Sequence, residues 1–343
     1  MHHSPFALCL RTLAAMRCLL TAAVLFAVMA APVSAQTDGM LHKRLKVGLV
    51  LGGGGAKGAA EVGVLKVIEE AGIPIDYIAG TSIGSIVGGL YSVGYRAETL
   101  DSLFCSQEWL TLLADREVTL SSEPIAERDG ITYIFGFPVS RKGSKKADPT
   151  FGAVRGDNIV SLFQNLTQVR DSINFNELPI PFRCVAADVK SWSEVVLDRG
   201  NLPRAMRASM AIPGAFKPVR IGKMVLVDGG LLNNLPVDVV RKMGADVVIA
   251  IDLAQEKPGE RRDFSLKDTF GIGGVIDWVV SRPDVKKYHE NRAATDLYIN
   301  PDLGNYGVTS FSRESIIHMI DLGEREGRNH WKALLDLKRR IGL

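Results

Sequence analysis

The chain has 343 residues, 46% hydrophobic and 23% charged, with a formal net charge of +3 and four cysteines. Nothing in that balance marks a nucleic-acid-binding protein, which would carry a clustered basic excess. No CxxC or Cys/His spacing suggests a metal site, and so few cysteines make no disulfide framework.

In chain order, residues 1–35 differ from the rest. Arg11 and Arg17 are the only charges before residue 36, residues 19–31 are apolar apart from Thr21, and Val33, Ser34 and Ala35 close the run. Basic, apolar, then small is the order of a cleavable secretory signal, cut here after Ala35. The apolar run is short of the ~20 residues that span a bilayer. Export predicts a periplasmic, outer-membrane-associated or secreted protein. Residues 36–44 then form an extension, and an oxidising compartment would let Cys105 and Cys184 pair.

Residues 46–51 read as a buried strand that runs into "GGGGAKG" at 52–58. Residues 59–71 carry apolar side chains at helical spacing and stop at Gly72, a C-cap. A short strand over 74–79 leads to "GTSIG" at 80–84 and a small-residue helix over 83–93. Strand, helix, strand, helix in so short a span predicts a mainly parallel sheet with crossovers. Residues 95–180 are less regular and include "RKGSKK" at 141–146, read as a solvated loop or a flap touching anionic headgroups. Strands return at 182–189, 191–197, 222–230 and 245–253. The remainder reads as mainly helical, with "DLYINP" at 296–301 strand-like. The apolar "GIGGVIDWVV" at 271–280 reads as core or as an interfacial contact.

Four consecutive glycines between a strand and a helix imply that something approaches the backbone closely. A Walker loop needs a hydroxyl after its lysine, and Gly58 follows Lys57 instead. Gly53, Gly55 and Gly58 satisfy a dinucleotide fingerprint. That fold wants an acidic residue at the end of the second strand, whereas Asp76 stands near its start. The third reading is an oxyanion hole built from backbone N–H groups at a helix N-terminus. GTSIG favours it. A serine on a tight strand-to-helix turn is exposed at the sheet's end, and Gly80 and Gly84 let the chain bend there. The two strands are joined by a single helix, so Ser82 and the glycine loop should share one crevice.

Ser82 needs a base. His42 precedes the first strand, and His289, His318 and His330 fall in the C-terminal helical stretch. Asp228, in "VLVDGGLLNNLP", ends an apolar strand before two glycines and is the better candidate; Asp188 and Asp252 are rivals at other strand ends. An aspartate need only take the serine proton and return it to a leaving alkoxide, which favours esters over amides.

With these residues in view, the chain resembles the patatin-like phospholipase family and its bacterial branch with a GGGGA(K/R)G loop. "GGGGAKG", "GTSIG" and the "DGG" of 228–230 occur in the family's order, and "RASMAIPGAFKPV" (207–219) and "NNLPVD" (233–238) are further signatures. The resemblance covers residues 45–255 strongly and 256–343 weakly, as a helical part packing on the same domain. It implies a three-layer αβα fold and a Ser82–Asp228 dyad releasing fatty acyl chains from phospholipids or lysophospholipids at a membrane surface. The oxyanion donors would be Gly53, Gly54 and Gly55, supported by Gly52, Gly58, Gly80, Gly84, Gly229 and Gly230. Lys57 would be a solvated helix-end charge or electrostatic support for a headgroup. No cofactor, metal or nucleic acid is implied. Glu61 departs from the branch, which often carries histidine there. A general carboxylesterase and a catalytically inactive lipid-binding module of the same fold are the alternatives.

Overall fold

The computed structural model describes residues 44–114, 127–128, 131–132, 152–255 and 285–343. The expected signal segment, His42, RKGSKK and GIGGVIDWVV lie outside these residues.

Strand β1, Val47–Leu51, is buried at every position. A strand apolar on both faces needs cover on both. Helix α1 (Ala59–Glu70) leads from it to β2 (Tyr77–Thr81), followed by α2 (Ile83–Ser92) and α3 (Ala97–Ser106). The second strand starts three residues later than its sequence suggests. Asp76 is held by Arg44 at 2.7 Å and by the Val47 N–H at 2.7 Å, so it forms the lead-in, and pairing begins at Tyr77. That position, at the strands' N-terminal ends, removes Asp76 from any ribose-binding role.

After α4 (Asp157–Thr167) come β3 (Phe182–Asp188), β4 (Ser193–Leu197) and α5 (Leu202–Ser209). The expected strand at 222–230 is one arm of a hairpin, β5 (Val219–Ile221) and β6 (Met224–Asp228), that turns at Gly222 with φ 59°. Then follow α6 (Val237–Lys242), β7 (Val247–Ile251), α7 (Val285–Ala293), β8 (Leu297–Ile299), α8 (Arg313–Asn329) and α9 (Trp331–Arg340).

The parallel part of the sheet runs β8-β7-β1-β2-β3. Side chains alternate across it. Leu49, Leu51, Ile78, Cys184 and Ile249 face one core, covered by α1, α2 and α8. Val50, Ala79, Val185 and Val248 face the other, with Val237 and Val240 of α6 and Tyr288 of α7. Helices on both faces of a mainly parallel sheet make a three-layer αβα fold. On the first face α1 and α8 meet backbone to backbone: a Cβ on Gly63 would collide with the Ile320 carbonyl, and one on Gly323 with the Ala60 carbonyl.

One feature of the sheet sets the site. β4 pairs antiparallel with residues 184–188 of β3. β2 pairs with 182–185 of the same strand and β6 with 186–188. Both overlap the span that β4 pairs with, so both lie on the edge opposite β4. β2 and β6 therefore run toward each other along one edge of β3 and meet end to end. Thr81 stands opposite Val185, and Asp228 stands opposite its neighbour Ala186.

Candidate active site

That end-to-end meeting brings Ser82 and Asp228 together across 146 residues of sequence. Ser82 Oγ donates to Asp228 Oδ2 at 2.6 Å. Ser82 turns the chain from β2 into α2 with φ 55° and ψ −123°, outside the usual range for an L-residue. The flanking glycines make the turn possible. A Cβ on Gly80 would collide with the Gly84 carbonyl, and one on Gly84 with the Leu51 carbonyl. Gly58 is needed for a similar reason, since a Cβ there would enter the Ile83 side chain.

The Asp228 carboxylate is 1% exposed. Its Oδ1 accepts the Gly230 N–H at 2.8 Å. Gly229 packs where a Cβ would strike the Val185 carbonyl. Burial raises the Asp228 pKa to about 6, against the hydrogen bonds from Ser82 and Gly230 that favour the ionised form.

The rival aspartates are engaged elsewhere. Asp188 accepts from the Val225 N–H at 2.9 Å and from the Ser191 hydroxyl, and these bonds hold its pKa below the usual carboxylate range. Asp252 accepts from Tyr298 at 2.8 Å, from Tyr288 and from the Ala254 N–H at 3.0 Å. His318 bonds Tyr306 at 2.7 Å, His330 lies against Glu326, and His289 stacks edge-on with Tyr288. Cys184 and Cys105 are both free: the first sits in β3 bonded to the Ala205 carbonyl, the second beside Asp101, and no pairing forms.

The glycine loop lies directly over the serine. A Cβ on Gly53 would stand 3.2 Å from Ser82 Cβ. The loop's N–H groups are not equivalent. Gly52 donates to the Ile251 carbonyl at 3.0 Å, continuing the sheet, and Gly53 donates to the Asn234 carbonyl at 3.2 Å. Of the three donors suggested by the sequence, Gly53 is thus already engaged. Among the described residues the Gly54 and Gly55 N–H groups have no protein acceptor, and Gly55 takes φ 59°.

Two segments that the sequence marks only as signatures brace this arrangement. Ser209 accepts the Ser82 N–H at 2.9 Å and donates to the Val185 carbonyl, while the Ala211 carbonyl accepts the Asp228 N–H at 3.0 Å. Asn234 grips Gly53 twice, through its own carbonyl and through Nδ2 to the Gly53 carbonyl at 3.1 Å. Its neighbour Asn233 accepts the Thr81 hydroxyl at 2.8 Å through its carbonyl. The Asn233 amide itself donates to Asp238 at 2.8 Å, so of the two asparagines only Asn234 uses its side chain on the loop.

Lys57 is not a solvated charge. It is 6% exposed and its Nζ donates to the Leu253 carbonyl at 2.9 Å, tying the loop to the end of β7. Glu61 is fully buried on α1, and neither carboxylate oxygen has a hydrogen-bond partner. Burial, and secondarily the nearby Asp252 charge, push its pKa well up; the Gly52 N–H, bonded to Ile251, opposes this only from a distance. Burial without a hydrogen bond disfavours the charged form there.

The family model for patatin-like phospholipases matches residues 49–241. Patatin-like phospholipase domain-containing protein 6 of Mus musculus is 36% identical over 212 residues, which is 61% of this chain and 14% of the mouse protein. An uncharacterized NTE family protein of Mycobacterium tuberculosis is 32% identical over 235 residues, 68% of this chain and 56% of that one. This chain therefore spans a small part of the mouse relative and about half of the mycobacterial one. Among solved structures, VipD from Legionella pneumophila superposes with a TM-score of 0.42 at 15% identity, over 85% of this chain and 67% of its own. With the family model spanning both the glycine loop and Asp228, this chain belongs to the patatin-like phospholipase family.

Proposed function

We propose that this chain is a lipid acyl hydrolase of the phospholipase A or lysophospholipase type, working through a Ser82–Asp228 dyad. The observation that carries the reading is the 2.6 Å bond from Ser82 Oγ to a buried carboxylate beneath the glycine loop. Ser82 Oγ attacks the ester carbonyl carbon and its proton passes to Asp228 Oδ2. The carbonyl oxygen becomes an oxyanion, for which the Gly54 and Gly55 N–H groups are the open donors; each such donor is worth ~3–4 kcal/mol in the transition state. Collapse of the tetrahedral species breaks the bond to the alcohol, and Asp228 returns the proton to the departing alkoxide. Water then attacks the acyl-serine with Asp228 as base, releasing the fatty acid and restoring the serine. An alkoxide leaves far more readily than an amine, so a carboxylate suffices where proteases use histidine. The basic-apolar-small order of residues 1–35 supports export as the setting.

The test is fatty-acid release from mixed phospholipid vesicles by the wild type, Ser82→Ala and Asp228→Asn, each checked for cooperative thermal unfolding. Both variants should fold and lose at least about 10³-fold in rate. Near wild-type turnover by a folded Asp228→Asn would sink the dyad. A wild type that cleaves only short soluble esters would move the assignment to a general carboxylesterase.

A further inference from the structure

Past Ala186 the sheet changes character. β3 outruns β2, and its far half is flanked by two antiparallel hairpins, β3–β4 and β5–β6. Parallel strands place their crevice beyond their carboxyl ends, where Ser82 sits. The hairpin turns project on that same side, about 13 Å beyond the dyad for four residues of strand. They are fastened to each other: Lys190 Nζ donates to the Lys223 carbonyl at 2.9 Å, and the Val189 N–H donates to the Val225 carbonyl at 3.0 Å.

Trp192 stands in the β3–β4 turn. It is 68% exposed, the most exposed large hydrophobic side chain among the described residues. It also holds φ 51°, a left-handed backbone that glycine or asparagine would adopt at less cost. Nothing in the packing of the turn calls for an indole there. On these two hairpins and at the start of α5, Lys190, Arg204, Arg220 and Lys223 are exposed, and none of them makes an ion pair among the described residues. Arg204 Nη2 donates to the Arg220 carbonyl at 2.7 Å, tying the start of α5 to the β5–β6 hairpin. The carboxylates of these hairpins make no ion pair with those four cations. Asp188 is bonded to the Val225 and Lys190 N–H groups, and Glu194 is paired with Lys287.

We propose that these two turns seat the molecule on an anionic phospholipid bilayer. Trp192 enters the headgroup layer, and Lys190, Arg204, Arg220 and Lys223 meet lipid phosphates around it. The proposal rests on the lipid reading above and deepens it by naming the surface that presents the substrate. An exposed indole on hairpins that also carry exposed cations without ion-pair partners among the described residues matches the membrane–water interface, where tryptophan concentrates and basic side chains meet anionic headgroups. A protein partner is less well matched, because Val196, 39% exposed, is the one other exposed large hydrophobic on these hairpins among the described residues. The same orientation would face the Ser82 crevice toward the lipid.

The test is co-sedimentation with vesicles of phosphatidylcholine alone and of phosphatidylcholine with phosphatidylglycerol, for the wild type, Trp192→Gly and Lys190→Gln/Lys223→Gln. Glycine relieves the left-handed turn, so Trp192→Gly should fold at least as well as the wild type. The expected result is binding that favours anionic vesicles and weakens with salt. Trp192→Gly should lose about tenfold in partition, and the double variant about fivefold for each lysine removed. Both variants should cleave a short soluble ester at the wild-type rate. Unchanged binding by Trp192→Gly, no binding by the wild type, or equal binding to neutral and anionic vesicles would each overturn the proposal. The assay reads binding alone, so Ser82→Ala should bind as the wild type does. Binding without fatty-acid release therefore removes the hydrolase and leaves the anchor standing.

Discussion

At the Ser82–Asp228 pair, two opposing effects act on one carboxyl group. Burial penalises the charged form, while the Ser82 hydroxyl and the Gly230 N–H stabilise it, and the outcome is a pKa raised to about 6. Aspartate at its usual ~3.9 is a poor base, and the shift toward neutrality strengthens it without leaving it protonated at pH 7. The sign follows directly. The proposed dyad would need the carboxylate, so activity is expected above the raised pKa and lost as pH falls through it. The expected profile of kcat/KM on a soluble ester has an acid limb near pH 6; a flat profile down to pH 4.5 would show that Asp228 is not the titrating base. At Glu61 the same burial penalty acts with no hydrogen-bond partner on either carboxylate oxygen, and its pKa is pushed well up. Its identity was plain in the sequence. Its lack of a partner depends on neighbours brought in by folding.

At the scale of elements, the glycine loop is held by segments remote in sequence. Asn234 fixes both polar groups of Gly53, Lys57 ties the loop to Leu253, and Val308 accepts the Ala56 N–H at 2.9 Å. These bonds decide which N–H groups remain for a substrate oxygen. Removal of the amide in Asn234→Ala would free the Gly53 carbonyl and let the loop shift over Ser82. Misplacement of about an ångström costs roughly 10²-fold in catalysis. The expected loss therefore falls in kcat with KM little changed, on a soluble ester and in a folded protein. A variant that changes only KM would assign Asn234 to substrate binding instead. The strands and helices next to the motifs were legible from periodicity, because β1, α1 and α2 are fully patterned. In the β5–β6 hairpin only the β6 arm was legible, because the three-residue β5 carries too little alternation to register.

For the whole molecule, the C-terminal helix α8 packs into the layer that follows the glycine loop. α8 lies along α1 through contacts at Gly63 and Gly323 that leave no room for a side chain. α1 in turn follows the glycine loop, so the loop's footing depends on residues near the C-terminus. Gly323→Val would push α8 off α1 and expose buried α1 surface. Overpacking of this kind costs about 1–3 kcal/mol or more. The thermal midpoint should drop by several degrees with the Ser82–Asp228 chemistry otherwise intact. An unchanged midpoint would mean that α8 docks independently of that contact.

The sequence by itself determined the parts: a buried strand entering four glycines, a serine between Gly80 and Gly84, and an aspartate before two glycines. Each is marked by glycines, which leave room for the close backbone approach found there. The tertiary structure decided how those parts meet. β2 and β6 approach end to end along one edge of β3, which sets Ser82 against Asp228 and turns Asp188 and Asp252 to other partners. It also decided that Gly53 is already bonded, that Lys57 is buried, and that Trp192 stands in the open beside Lys190 and Lys223. Burial and pairing are properties of neighbours in space, and strands that meet across 146 residues leave no periodic trace in the sequence between them.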